Sequence, residues 1–120
     1  AAAVATLDEL ARIDGPAVML RAGQRLRDGL DEQATRHGFA LRQSGPPVMP
    51  LVQFVGDDTK ATLGDTFCGE ALKRGVYMHH KHNMFLSTAH TDAEIDQALD
   101  ATDGAFAALA RHRPVKGEIA

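Results

Sequence analysis

The sequence has little of several features that mark common classes of protein. Its single cysteine, Cys68, leaves no partner for an internal disulfide, which favours a reducing compartment such as the cytoplasm. The net charge of −3 gives no basic excess, so nucleic acid is not an expected partner. No apolar run approaches the roughly 20 residues of a membrane-spanning helix, and the start lacks the basic region of a signal peptide. We expect one modest domain that binds neither nucleic acid nor a membrane.

Glycine-rich phosphate loops are also missing. Neither G-x-x-x-x-G-K-[ST] nor G-x-G-x-x-G occurs, and Gly64, Gly69 and Gly75 are scattered. The chain starts with alanine rather than methionine, inside a stretch that reads as a helix without a cap. We therefore expect this chain to be a piece of a longer protein.

Apolar spacing and turn residues predict four helices and four short extended segments. The helices are expected at about 1–13, 17–37, 61–74 and from the capping box Thr91-x-x-Glu94 to about 112. The extended segments are expected at 39–42, 48–55, 76–78 and 85–87. Pro50 implies that the second of them is an edge strand or starts late.

This order predicts an α+β fold with a small, mostly antiparallel sheet of three to four strands and helices on one face. We divide the chain into linking and small-domain helices (1–37), an α+β domain (38–113) and a loose tail (114–120). On the third helix, Leu63, Phe67, Ala71 and Leu72 are expected to face inward.

A polar cluster between two apolar pieces, GVYMHHKHNMFL, is the most distinctive part of the chain. His79, His80, His82 and His90 are suitable zinc ligands, but no second ligand group with standard spacing accompanies them. Self-contained catalysis is also poorly supported, because Cys68 falls on a helix and reads as a buried thiol, while Ser87, His90 and Asp92 are only neighbours in sequence. Lys81 is the only lysine beside a plausible pocket. The loop thus reads best as one wall of a site that other residues complete.

Residues 74–96, RGVYMHHKHNMFLSTAHTDAEID, resemble the C-terminal segment of class III pyridoxal-phosphate-dependent aminotransferases. The similarity is greatest to the branch around glutamate-1-semialdehyde aminomutase, which shows a G-V-Y/F strand, a variable polar loop, S-x-A-H-T and an acidic helix start. The opening AAAVATLDEL resembles the helix that links the large and small domains of these enzymes. The stretch from Gly45 to Phe54 resembles a small-domain strand.

The resemblance implies a fold-type I homodimer whose large domain binds pyridoxal 5′-phosphate (PLP). The Schiff-base lysine and the cofactor contacts of the family lie upstream of this chain, so no catalytic, cofactor-binding or metal residue is assigned here and the chain alone is expected to be inactive. It would cover the substrate side, where a small-molecule amine or amino acid enters. The residues expected to edge that entrance are His79, His80, Lys81, His82 and Asn83.

Two alternatives stay open. Many members of this class grip a substrate carboxylate with an arginine at the position matching Leu86, so the resemblance implies that a bidentate grip from that position is absent here, as it is in the aminomutase-like branch. The loop from His79 to Met84 is shorter than the aminomutase loop, which favours an aminotransferase, and the choice between the two activities stays open. The other alternative is a free-standing α+β binding module whose histidine-rich loop holds a ligand or a metal.

Overall fold

The computed structural model describes residues 1–112, so the predicted tail at 114–120 lies outside the described residues. Its helices and strands, in chain order, are α1 (Ala2–Arg12), α2 (Gly15–Arg36), β1 (Leu41–Ser44), β2 (Leu51–Phe54), α3 (Thr62–Lys73) and α4 (Asp92–His112). The four predicted helices are confirmed, each within about two residues of the expected ends. Within residues 1–112, no helix is long and apolar enough to cross a membrane.

The sheet is smaller than the sequence predicts. β1 and β2 pair antiparallel, with Leu41 opposite Phe54, so the α+β class is confirmed. The expectation of three to four strands is wrong, since the sheet described for residues 1–112 has two. The segments 76–78 and 85–87 do not join it as strands. Residues 84–86 nevertheless run beside residues 48–50, where Met84 N donates to Pro50 O at 2.8 Å and Leu86 N donates to Val48 O at 3.0 Å.

A proline contributes to the failure of residues 84–86 to form a regular strand beside residues 48–50. Pro50 accepts through its carbonyl but has no N–H to donate back, so it cannot support a regular ladder. The same residue sets the start of β2 at Leu51, as the late-start alternative predicted. The result is a two-stranded sheet, and residues 84–86 run beside residues 48–50, just before β2, without forming a third strand.

Four phenylalanines make the centre of the core. Phe106 on α4 is fully buried, and its ring centroid lies 4.5 Å from that of Phe67, 6.0 Å from Phe54 and 6.1 Å from Phe39. These rings come from α4, α3, β2 and the segment before β1, so one cluster joins the helices to the sheet. On α3, Phe67 is buried as predicted, whereas Leu72 is 56% exposed and its predicted inward position is wrong.

α2 packs closely on the loop between the strands. A Cβ added at Gly23 would lie 2.1 Å from the carbonyl oxygen of Pro47, so only glycine permits this approach without a shift of backbone. Leu26 and Leu30 on the same helix are buried in the core, whereas α1 has no buried residue. The division of the chain at residue 37 stays a prediction.

Side chains near the starts of α3 and α4 satisfy backbone N–H groups there. Asp57 accepts hydrogen bonds from Leu63 N and Gly64 N at 2.9 and 3.0 Å, which satisfies two first-turn donors of α3. At α4, the Glu94 carboxylate accepts from Thr91 N at 3.1 Å, which is one half of the predicted capping box. The first turn of α3, which is capped in this way, carries Gly64 and Asp65, and both contact His80 of the polar loop.

Candidate functional site

The polar loop from His79 to Met84 is fastened to α3 by one of its histidines. His80 is only 9% exposed, and its Nε2 lies 2.6 Å from Asp65 Oδ1. The ring lies over Gly64, where an added Cβ would come within 2.4 Å of Nδ1. The sequence groups His80 with the substrate-entrance residues, and the structure places it against α3 as an internal anchor.

Residues 83–86 fasten the other side of the loop to residues 48–50. Asn83 Nδ2 donates to Met49 O at 3.1 Å, beside the two backbone hydrogen bonds to Pro50 and Val48 described above. Met84 also reaches back, and its sulfur accepts the N–H of His79 at 3.4 Å. The loop is thus held from both flanks, which fixes the backbone that carries its remaining side chains.

His79 and His82 form a stacked pair at the centre of the loop. Their ring centroids lie 3.7 Å apart, and the ring planes differ by 19°. His79 Nδ1 accepts the backbone N–H of Lys81 at 3.1 Å, and His82 Nδ1 lies 3.1 Å from Asn83 O. Each ring therefore commits its Nδ1 to the backbone and keeps its Nε2 for other contacts.

Desolvation and nearby charge together favour a neutral His79. The pKa of His79 lies below its usual value, first because the loop shields the ring from water, and then because His82, His80 and Lys81 contribute positive charge. Lys81 is exposed, and its ammonium lies 4.0 Å from Asp65 Oδ1. At neutral pH, then, His79 acts as a neutral hydrogen-bonding ring.

An apolar cleft of about 370 Å³ opens beside the stacked pair. Tyr77 and Phe85 line it and are 75% and 70% exposed, the two highest values among the large apolar residues of the described chain. Leu26, Pro50, Met78, Ile95 and Ala98 also line the cleft. The lining of the cleft is thus mainly apolar, with three imidazoles, those of His79, His82 and His90, and the carboxylate of Glu94 among it.

The alternative chemistries that the sequence allows have little support in the structure. Residues 1–112 contain no group of three or more His, Cys, Asp or Glu side chains that could hold a metal ion. Burial and then Asp65 raise the pKa of Cys68 to about 11, so the thiol is poorly reactive at neutral pH. His90 Nδ1 accepts Ser87 N at 3.0 Å, so it is not free for the carboxylate contact of a triad.

The described residues also do not fit a PLP site. A Schiff-base lysine reacts from a desolvated pocket, but Lys60, Lys73 and Lys81 are all exposed. Lys73 is further engaged by Glu70, with Nζ 3.0 Å from Oε1. The part of the chain that the structure describes therefore offers no lysine in a desolvated pocket.

Comparison with known proteins decides the family. No model of a protein family matches the chain. The aminopentol aminotransferase of Sphingopyxis macrogoltabida is 42% identical over 111 residues, which are 92% of this chain and 26% of that protein. The chain belongs to an aminotransferase family. The glutamate-1-semialdehyde 2,1-aminomutase of Desulforudis audaxviator (strain MP104C) is 34% identical over 117 residues, 88% of this chain and 27% of the enzyme.

A solved structure agrees with this assignment. The PLP internal aldimine form of the FumI protein of Sphingopyxis sp. MTA144 matches with a TM-score of 0.73 and 41% identity, over 79% of this chain and 23% of that one. The chain therefore spans about a quarter of the length of its relatives in the aminotransferase and aminomutase family. It is a C-terminal domain of such an enzyme, so the resemblance seen in residues 74–96 is confirmed. PLP is the cofactor of the family.

Sequence reasoning finds the loop of this aminotransferase-family domain but misses what holds it. Gly64 and Asp65 receive His80, and both lie 15 or more residues before it on α3. Neither carries a local signal, because a glycine and an aspartate in a first helical turn are ordinary there. The pairing of residues 84–86 with 48–50 was also missed, since Pro50 breaks the strand pattern that would have indicated it.

Proposed function

We propose that the full-length enzyme transfers amino groups between a small-molecule amine or amino acid and a keto compound, and that this domain forms one wall of the substrate entrance. The similarity to an aminotransferase across 92% of the chain carries the first part of the proposal. PLP supplies the electron sink for such chemistry, whereas the protein binds, orients and encloses the substrate. The residues of this domain would contribute to enclosure and orientation.

The loop geometry supports the second part of the proposal. A wall must be rigid, and the loop is fastened through His80 to Asp65 and through Asn83 to Met49. His79, Lys81 and His82 are left with polar groups that can meet a substrate. We therefore assign these three and Asn83 to the rim of the entrance, and His80 to the support behind it.

We further propose that the enzyme is a class III member of fold-type I and acts as a homodimer in the cytoplasm. The resemblance of residues 74–96 to that class supports the first two statements. The single cysteine is compatible with a reducing compartment. The relative from Sphingopyxis macrogoltabida is named for aminopentol, an amine with several hydroxyl groups, so hydroxylated amines are suitable first donors to examine.

The proposal is tested with the full-length enzyme, PLP, a panel of amines and pyruvate, with alanine as the measured product. We expect alanine to form and amide exchange across residues 77–86 to slow when the amine is bound, measured by hydrogen–deuterium exchange. Residues 103–112, at the far end of α4, are the matched control and should exchange at the same rate with or without the amine. Alanine formation with unchanged exchange across 77–86 would remove the loop from the entrance.

A further inference from the structure

An added proton breaks the backbone contact of His79 in the stacked pair. His79 Nδ1 accepts the backbone N–H of Lys81 at 3.1 Å, so the neutral ring holds a lone pair on that nitrogen. Both nitrogens of a cationic imidazole are donors, so a second proton on His79 has to occupy Nδ1. Protonation of His79 therefore removes the acceptor that holds the N–H of Lys81.

The hydrogen bonds of the other two loop histidines withstand protonation. His82 Nδ1 lies 3.1 Å from Asn83 O, and a carbonyl oxygen only accepts, so this nitrogen carries a proton in the neutral ring and in the cation alike. His80 Nε2 lies 2.6 Å from a carboxylate oxygen of Asp65, and a positive charge on His80 would strengthen that contact. Of the three loop histidines, His79 is thus the one whose contact a proton breaks.

The stacking of the rings adds electrostatic repulsion to this loss. The ring centroids of His79 and His82 lie 3.7 Å apart, so two cationic rings would meet almost face to face. Desolvation first, and then the charges of His82, His80 and Lys81, hold the pKa of His79 below its ordinary value of 6.5. The closed loop therefore disfavours a proton on His79.

Acidic groups near the pair do little to offset this effect. Asp65 on α3 favours a protonated His79, but it has the smallest effect of the charged groups that act on the ring. From the start of α4, Glu94 and His90 line the same cleft as the pair. The Glu94 carboxylate is engaged by the N–H of Thr91 at 3.1 Å, and His90 can add only positive charge. A proton on His79 thus meets mainly positive surroundings.

We propose that the His79–His82 stack is a pH-sensitive switch of the polar loop: protonation of His79 breaks its hydrogen bond to Lys81 and separates the two rings, while His80 stays held by Asp65. The contribution of the stack to the closed loop is present above pH 6.5 and is lost as the pH falls through the lowered pKa of His79. The loop can open without substrate, so the inference goes beyond the proposed function. Its consequence, a less ordered wall of the substrate entrance in acid, rests on that function.

The test measures hydrogen–deuterium exchange of the full-length enzyme with PLP bound and no amine, at pH 7.5 and pH 5.5. Each rate is divided by the rate of an unstructured peptide of the same sequence at the same pH. We expect the protection of amides 79–82 to fall about tenfold at pH 5.5, because that pH lies one unit below the ordinary pKa of an open-loop histidine. Residues 103–112 should keep their protection.

His79→Asn is the decisive variant, since its side-chain oxygen can accept the N–H of Lys81 but takes up no proton in this pH range. Its protection across 79–82 should change by less than about twofold between the two pH values. His112→Asn, at the exposed end of α4, is the matched control and should keep the tenfold fall.

Three results would overturn the switch: protection of the wild-type loop that does not depend on pH, an equal fall in His79→Asn, or an equal fall across residues 103–112, which would indicate general unfolding. Because no amine is present and no turnover is measured, each of these results leaves the proposed amino transfer standing. Failure of alanine formation, in the test of the proposed function, would in turn leave the switch standing.

Discussion

Phe106→Ala is expected to lower the free energy of unfolding by about 4 kcal/mol, which is a large part of the total stability of a small domain. Phe106 is fully buried, and its ring meets those of Phe39, Phe54 and Phe67. Removing it takes away apolar burial and leaves a cavity between α4, α3 and the sheet, which rigid aromatic neighbours cannot fill. Urea unfolding of the 120-residue chain, followed by far-ultraviolet circular dichroism, measures the difference.

The matched control for that variant is Phe85→Ala. Phe85 is the same residue type but is 70% exposed at the cleft, so its loss should change stability by no more than about 0.5 kcal/mol. A Phe106→Ala variant as stable as Phe85→Ala would show that the four-ring cluster is not the centre of the core.

Gly23→Ala is expected to lower the free energy of unfolding by about 3 kcal/mol, although alanine is ordinarily the better helix former. The new Cβ would lie 2.1 Å from Pro47 O and 2.5 Å from Pro47 C, both of them backbone atoms. Relief requires α2 to move away from the loop between β1 and β2. Because Val48 and Pro50 of that loop hold residues 84–86, the movement should also loosen the polar loop, which is seen as faster amide exchange across 79–86.

Gly69→Ala is the matched control for this second variant. Gly69 also lies inside a helix, but an added Cβ would meet nothing within 4 Å. The same substitution should therefore raise stability by about 0.5–1 kcal/mol through helix propensity alone. If Gly23→Ala were also stabilising, the close contact between α2 and Pro47 would be wrong.

The spacing of apolar residues predicted the buried faces of the helices better than it predicted the sheet. Phe67 and Ala71 lie four residues apart on one face of α3 and are buried, as a 3.6-residue repeat requires. Leu72 is next to Ala71 and so points about 100° away, where it remains exposed. Its apolar character suggested burial, but its position on the helix decided the outcome.

Contacts between residues far apart in sequence limited how much of the sheet and of the candidate site could be predicted. The sequence indicated an extended segment near 85–87, but Pro50 has no N–H to donate to it, which removes one of the reciprocal hydrogen bonds that a regular strand pairing would use. In the loop, His79, His80 and His82 look alike in sequence. Of these three, His80 is the one whose ring lies over Gly64 and within hydrogen-bonding distance of Asp65. This selection depends on contacts across 15 or more residues.

The central claim is that this domain encloses substrate while the lysine that holds PLP lies elsewhere in the enzyme. The most direct test is to reduce the full-length enzyme with sodium borohydride, which fixes the cofactor to its lysine, and to locate the pyridoxyl group by peptide mass spectrometry. We predict one modified lysine outside these 120 residues, with Lys60, Lys73, Lys81 and Lys116 unmodified. Stoichiometric pyridoxyl on any of those four would contradict this division of roles.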